Sequence, residues 1–254
     1  LSKTKYNNVQ LYMYNVGSFS LEPPYLAKID LTYDTSKAIS VDPYPQEKNV
    51  LLNGWYYDRE NLMTELPGGA VIGSFQKATE LYPDLVKKHF AKYADGEESM
   101  VALNTAFARD GAFIHVPKNA VVNKPIEIVF FTTGEASEVM TQPRNLVLVE
   151  EGGQVQIIER HRSLTDHAVL TNSVTEIVAE QNARVDFYKV QNDNNTASLI
   201  DHTSVSQAKD SYVNVGTFSF GGKLVRNTLN FSSNGENTES HMDGITIIGD
   251  GQHV

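Results

Sequence analysis

Apolar-x-apolar triplets begin at Ile126, Val155, Val185, Val213 and Ile245, at steps of 29, 30, 28 and 32 residues. From Val155 onward most follow a polar turn: Glu151-Gly152-Gly153, Gln181-Asn182-Ala183 or Lys209-Asp210-Ser211. A second apolar segment leads into each turn, around Val147, Ile177, Val205 and Leu229. A strand-built repeat with a period in the 20–50 range specifies a solenoid or a propeller. Solenoids more often present surfaces to partners than enclose a deep catalytic pocket.

The alternation begins at a definite place. Pro67-Gly68-Gly69 opens a helical texture in which Phe75, Ala78, Leu81, Leu85, Val86, His89, Phe90 and Tyr93 recur at i, i+3, i+4 and i+7. This predicts a helix over Phe75 to Tyr93, capped by Ser74 and divided by Pro83. A second helix is predicted over Ser99 to Ala108, ending at Asp110-Gly111. From Gly111 the helical period vanishes, and short β-branched segments alternate with Gly, Asn, Asp and Ser turns. The expected organisation is therefore a mixed region over 1–110 with two helices, then a parallel β-helix core over 111–254. An antiparallel sandwich is the competing architecture; the near-constant period favours the solenoid, in which Val155, Val185 and Val213 share one interior ladder. Upstream, Val9 to Tyr14 reads as a strand and Asp42-Pro43-Tyr44-Pro45 as a rigid turn. Asn53-Gly54 reads as a tight turn into Trp55-Tyr56-Tyr57, with those aromatics packed in the core.

Composition removes several classes of function. The formal charge is −10 and no basic stripe occurs, which argues against nucleic acid as a partner. Cysteine is absent, so these residues supply no disulfide, no thiolate ligand for an iron–sulfur cluster and no cysteine nucleophile. No apolar run approaches the roughly 20 residues that span a bilayer, and a membrane partner is not expected. Leu1-Ser2-Lys3-Thr4-Lys5 leads into no apolar signal segment, and the missing Met at position 1 suggests a true start upstream.

Motifs for chemistry are equally sparse. No phosphate loop, dinucleotide fingerprint or nucleophile elbow occurs. Gly152-Gly153 and Gly221-Gly222 read as turn glycines with positive φ. Of the histidines, His89 and His115 read as packed core residues. Arg160-His161, Asp166-His167 and Asp201-His202 read as solvated loop pairs without a coordination geometry. His241 and His253 lie near the last coil and define no site. Glu150, Glu151 and Glu159 raise the alternative of a carbohydrate-active β-helix enzyme with paired acids, but Glu150 and Glu151 fall in a turn. No residue here is expected to act as a catalyst, to hold a cofactor or to ligate a metal.

One stretch carries a resemblance. LNTAFARDGAFIHVPK (Leu103 to Lys118), the following Val121 to Ile128 with Lys124-Pro125-Ile126, and the later Asn145 to Gly153 and Val185 to Gln191 segments fall in a definite order. This order resembles the SufB/SufD family of iron–sulfur cluster assembly proteins over roughly Leu66 to Val254, with wording nearest the SufD branch. The resemblance implies a right-handed parallel β-helix and a non-catalytic scaffold role in a cytoplasmic complex with a SufB-like scaffold subunit and a SufC-like ATPase. It implies a cluster assembled by that complex and no cofactor bound by this segment. It also implies a C-terminal helical region that meets the ATPase and carries a histidine implicated in assembly; neither is found before Val254. The last coil is then expected to pair with a partner, with a second copy or with further chain.

Overall fold

The computed structural model describes residues 10–12, 28–30, 47–58, 61–133, 138–249 and 251–254. The expected turn at Asp42 to Pro45 and half of the Val9 to Tyr14 strand lie outside them. Strands β1 (Gln10–Tyr12) and β2 (Lys28–Asp30) pair antiparallel with each other. There follow β3 (Glu47–Leu52), β4 (Trp55–Tyr56), β5 (Met63–Glu65), β6 (Val71–Ser74), α1 (Phe75–Leu81), α2 (Pro83–His89) and α3 (Ser99–Phe107). The remainder is strand: β7 (Ala112–Val116), β8 (Ile126–Thr132), β9 (Val139–Thr141), β10 (Arg144–Val149), β11 (Gln154–Ser163) and β12 (Val169–Ala179). The series ends with β13 (Arg184–Gln191), β14 (Ala197–Gln207), β15 (Tyr212–Ser219), β16 (Leu224–Ser233) and β17 (Glu239–Thr246).

Successive strands alternate between two sheets, as coils of a solenoid must. One sheet runs β17-β15-β13-β11-β8-β3-β4; the other runs β16-β14-β12-β10-β7-β6-β5, with β9 beside β12. From β7 onward every pairing within these sheets is parallel, which removes the sandwich alternative. Val155 pairs with Val185 and Val185 with Val213, all three at 3% exposure or less. The expected ladder is present.

The outer triplets are shifted. Ile126 pairs with Ile157 rather than Val155, and Ile245 pairs with Phe218, while Ser240 takes the place opposite Val213. On the facing sheet Val147, Ile177 and Val205 form one ladder, extended by Phe231 rather than by Leu229, which lies opposite Thr203. The two-residue slips at Ile126 and Leu229 preserve the face of the strand but move its rung, so alternation alone cannot detect them; Ile245, five residues from Ser240, falls on the opposite face.

Each coil turns at one corner through a residue of positive φ: Asn119 (60°), Gly152 (69°), Asn182 (56°), Asp210 (57°) and Asn237 (56°). Asn and Asp tolerate this conformation better than other residues with a Cβ. The corners stack, since the N–H groups of Asn119, Gly152, Asn182 and Asp210 donate to the carbonyls of Glu151, Gln181, Lys209 and Glu236 in the next coil. Gly222 also has positive φ (88°), whereas Gly153 and Gly221 are small for a different reason. A Cβ on them would lie 2.9 Å from the Glu150 carbonyl and 2.3 Å from that of Asp193.

The predicted long helix is two helices meeting at Tyr82, with Pro83 at the first position of α2, where its missing N–H costs nothing. Ser74 caps α1 by accepting from the Lys77 N–H, and Glu98 caps α3 through Met100 and Val101. The helices cover the outer face of the second sheet through Phe75, Ala78, Val86, Phe113, Leu146, Leu148 and Val178. Asn53 (φ 49°) and Gly54 (φ 81°) make the expected turn between β3 and β4, and Tyr56 is buried. Asp110 is more than a chain terminator for α3. Its carboxylate accepts from Tyr56 N–H (2.9 Å), Ser74 Oγ (2.8 Å), Gln76 N–H (3.0 Å) and Gly111 N–H (2.8 Å), tying hairpin, helix and solenoid at one buried point. No helix among the described residues is long and apolar enough to cross a membrane.

Candidate functional site

Along each strand of the first sheet the inward side chains change character. In β11 they run Val155, Ile157, Glu159, His161; in β13, Val185, Phe187, Lys189, Gln191. The register places Glu159 beside Lys189 and His161 beside Gln191. Across the interior, β14 contributes Thr203 and Asp201. One end of the solenoid's cross-section is therefore hydrocarbon and the other is ionic, with Glu159, His161, Lys189 and Asp201 each at 5% exposure or less.

These groups are in contact. His161 Nε2 lies 2.9 Å from Glu159 Oε1, and the imidazole stacks on Phe130 with ring centroids 4.7 Å apart. The Lys189 ammonium donates to Asp201 Oδ2 and, at 2.7 Å, to Thr203 Oγ1, and stands 3.6 Å from Glu159 Oε1. Burial alone would raise the Glu159 carboxyl, but the Lys189 charge and the His161 hydrogen bond outweigh it and hold it down to about 2. Lys189 is raised: burial opposes its charge, and the Asp201 and Glu159 carboxylates more than restore it. His161 is raised by Glu159 despite its burial. Asp201 is raised by burial, which the Lys189 charge opposes and the like charge of Glu159 reinforces. The two acids are thus pushed in opposite directions, Glu159 down and Asp201 up. Glu159 Oε2, Asp201 Oδ1 and Gln191 Oε1 are buried and meet no hydrogen-bond donor among the described residues.

This corrects the reading of Arg160-His161 and Asp201-His202 as solvated loop pairs: His161, Asp201 and His202 are buried strand residues. His202 points away from Asp201, to the helix side of the sheet, where its Nε2 lies 3.4 Å from the Glu98 carboxylate. Asp166 and His167 do lie in an exposed turn. His89 is buried with Nδ1 2.6 Å from Tyr93 Oη, as a packed histidine should be. His115 faces the helices rather than the interior, which Ile114 occupies, and bonds Glu150 at 3.0 Å. Glu150 and Glu151 belong to the turn and Glu159 is sealed inside, so these three do not form the groove-lining acid pair of the enzyme alternative. His241 is exposed, its ring tilted against Tyr212 with centroids 5.0 Å apart; His253 is exposed and forms a parallel bridge to Leu224.

A second buried ion pair lies on the helix side. Arg144 Nη2 donates to Glu176 Oε2 at 2.7 Å, and Glu176 also accepts from the Ala91, Tyr93 and Ala94 N–H groups. It anchors the loop after α2. The cleft of about 330 Å³ beside it is walled by Ala91, Ala94, Gly96, Val101 and Ala102, and its one cation is already paired.

The comparisons with known proteins agree with the architecture. Residues 130–254 match the "SUF system FeS cluster assembly, SufBD core domain" family and residues 25–128 the "SufBD protein N-terminal region". The chain belongs to the SufBD family. It is 26% identical over 229 residues to an iron–sulfur cluster assembly SufBD family protein of Synechocystis, covering 87% of this chain and 51% of that protein. It is also 26% identical over 188 residues to the iron–sulfur cluster assembly protein SufD of Bacillus subtilis, covering 71% and 41% respectively. With Protein ABCI7, chloroplastic, of Arabidopsis thaliana it shares 26% identity over 199 residues, covering 76% and 42%. The chain spans about half the length of these relatives, or somewhat less.

Proposed function

We propose that this chain is the solenoid part of a non-catalytic scaffold subunit in a Suf-type iron–sulfur cluster assembly complex. It works in the cytoplasm beside a SufB-like scaffold subunit and a SufC-like ATPase. The observation that carries this reading is the match to both SufBD regions across residues 25–128 and 130–254, joined to a regular parallel β-solenoid. The sequence adds two constraints: no phosphate loop to hydrolyse nucleotide and no cysteine to hold a cluster. The chain's own contribution is then mechanical and positional. A stack of parallel strands is stiff along its length and offers strand edges to which another β-structure adds by main-chain hydrogen bonds.

Affinity capture of the tagged full-length protein from its own cells, with partners identified by mass, tests this. Co-purification of a SufB-like subunit and a SufC-like ATPase is expected, with ATP turnover following the ATPase. Recovery without either partner, or nucleotide hydrolysis by the purified chain alone, would overturn it.

A further inference from the structure

We propose that the polar end of the solenoid interior binds one first-row divalent metal ion, held by Glu159, His161 and Asp201. This goes beyond the assembly role and does not depend on it, and it departs from the expectation that this segment ligates no metal. With no thiolate in the chain, the ion would be a single N/O-ligated centre, not a cluster.

Three observations carry it. First, one ligand atom from each residue lies within 4.8 Å of the others, all three residues being buried. The 2.9 Å between His161 Nε2 and Glu159 Oε1 suits a hydrogen bond. It also suits two adjacent ligands on one ion, since bonds of about 2.0–2.2 Å at near right angles leave ligand atoms about 2.9 Å apart. Second, the oxygens left over point to a missing positive partner. Glu159 Oε2, Asp201 Oδ1 and Gln191 Oε1 are acceptors without a donor among the described residues, and buried carboxylate oxygens are costly to leave so. Lys189 does not serve them, because its ammonium is spent on Asp201 Oδ2 and Thr203. Third, the charges balance with a divalent ion. Glu159, Asp201 and half-buried Asp193, which accepts from Gln191 Nε2, supply three negative charges. Lys189 supplies one positive charge and the ion two, with His161 neutral as a ligand must be.

The surroundings are those of a supported site. Phe130 fixes the His161 ring by stacking, and Lys189, itself bonded to Thr203, donates to Asp201 Oδ2.

The test is a titration of the full chain, stripped with chelator and desalted, using Co²⁺ and Zn²⁺. One ion per chain is expected, with the d–d absorption of imidazole–carboxylate Co²⁺ and a rise in Tm on adding Zn²⁺. Glu159→Gln and His161→Gln should each weaken binding at least tenfold and abolish the Tm rise. Because either change could also disturb the fold, Lys189→Met is the companion variant. It keeps all three ligands and removes a like charge, and should bind at least as tightly as wild type. A wild-type chain that binds neither ion overturns the proposal, even if Lys189→Met binds one, for the ammonium would then be the resident cation. Undiminished affinity in both ligand variants overturns it as well.

Discussion

Asp110 and His202 show how single buried polar groups set the stability of this fold. Asp110 satisfies four donors from three separate segments, so Asp110→Ala strands buried N–H groups that nothing else reaches. A loss of about 3–5 kcal/mol is expected in denaturant melts, with Asp110→Asn intermediate because it keeps one acceptor oxygen. An effect below about 1 kcal/mol would show that the hub is dispensable. His202 is the second such group, buried at 2% exposure. Burial holds its imidazole below the usual value, against the opposing pull of Glu98 and Asp201, while Arg226 and Lys189 push the same way as burial. A depressed histidine contributes stability fully present above about pH 6.5 and lost as pH falls through the folded value. His202→Leu should therefore cost more stability relative to wild type at pH 7 than at pH 5, and parallel pH profiles for the two proteins would refute this. Neither role was legible in the sequence. Asp110-Gly111 and Asp201-His202 both look like turn dipeptides, and only the register of β14 shows that Asp201 enters the interior while His202 lies under α3. Glu159, His161 and Lys189 were hidden for a related reason. Inward charge in a strand interrupts the apolar alternation and reads as the strand's end.

At the scale of elements, the repeat was legible because each coil reuses the same two devices, an inward apolar rung and a corner that needs positive φ. Val155-Val185-Val213 and the corners at Gly152, Asn182 and Asp210 are in step, and these are the positions that made the period visible. Ile126 matches the pattern but not the rung, two residues from it on the same face, whereas Ile245 lies five residues from its rung and so on the other face. Val185 lies mid-ladder at 0% exposure, flanked by Val155 and Val213. Val185→Asp places an unpaired charge in the hydrocarbon end of the interior. It should cost at least about 3 kcal/mol, or a Tm lowered by roughly 6–12 °C, and a melt within about 2 °C of wild type would show that the ladder does not bear on stability. The corners make a milder and more specific test. A Cβ at Gly152 would meet Asn119 Oδ1 at 2.5 Å as well as adopting an unfavourable φ, whereas Asn182→Gly relaxes the same corner one coil on. Gly152→Ala should destabilise by about 1–2 kcal/mol and Asn182→Gly should be near neutral, a contrast that composition alone would not produce.

For the whole molecule, the decisive feature is the asymmetry between its two sheet-end coils. The first coil is closed: β3 and β4 lie against β8, β5 and β6 against β7, and Leu51, Tyr56 and Ile72 join the central core. The last coil, β16 and β17, is open. Interior positions that are dry in earlier coils are uncovered here, with Met242, in line with Val215, at 57% exposure and Leu229 and Phe231 only partly buried. Ile245, Ile247 and Ile248 add apolar surface at 53%, 63% and 49% exposure beside them. Among the described residues, both strands also present an unpaired edge apart from the bridge of Leu224 to His253, which sits 29 residues on, close to the solenoid period. Exposed apolar side chains next to free strand edges are an invitation to further β-pairing or to aggregation. The coil from Thr228 to Ile248 is therefore expected to be a site of further β-pairing. For residues 1–254 alone, sedimentation and hydrogen exchange should show self-association that Met242→Lys with Ile245→Lys weakens, together with faster exchange in β16 and β17 than in β13 and β14. A strictly monomeric species whose last coil exchanges as slowly as the middle ones would mean that the exposed end is stable in water by itself, and the docking role assigned to it would fall.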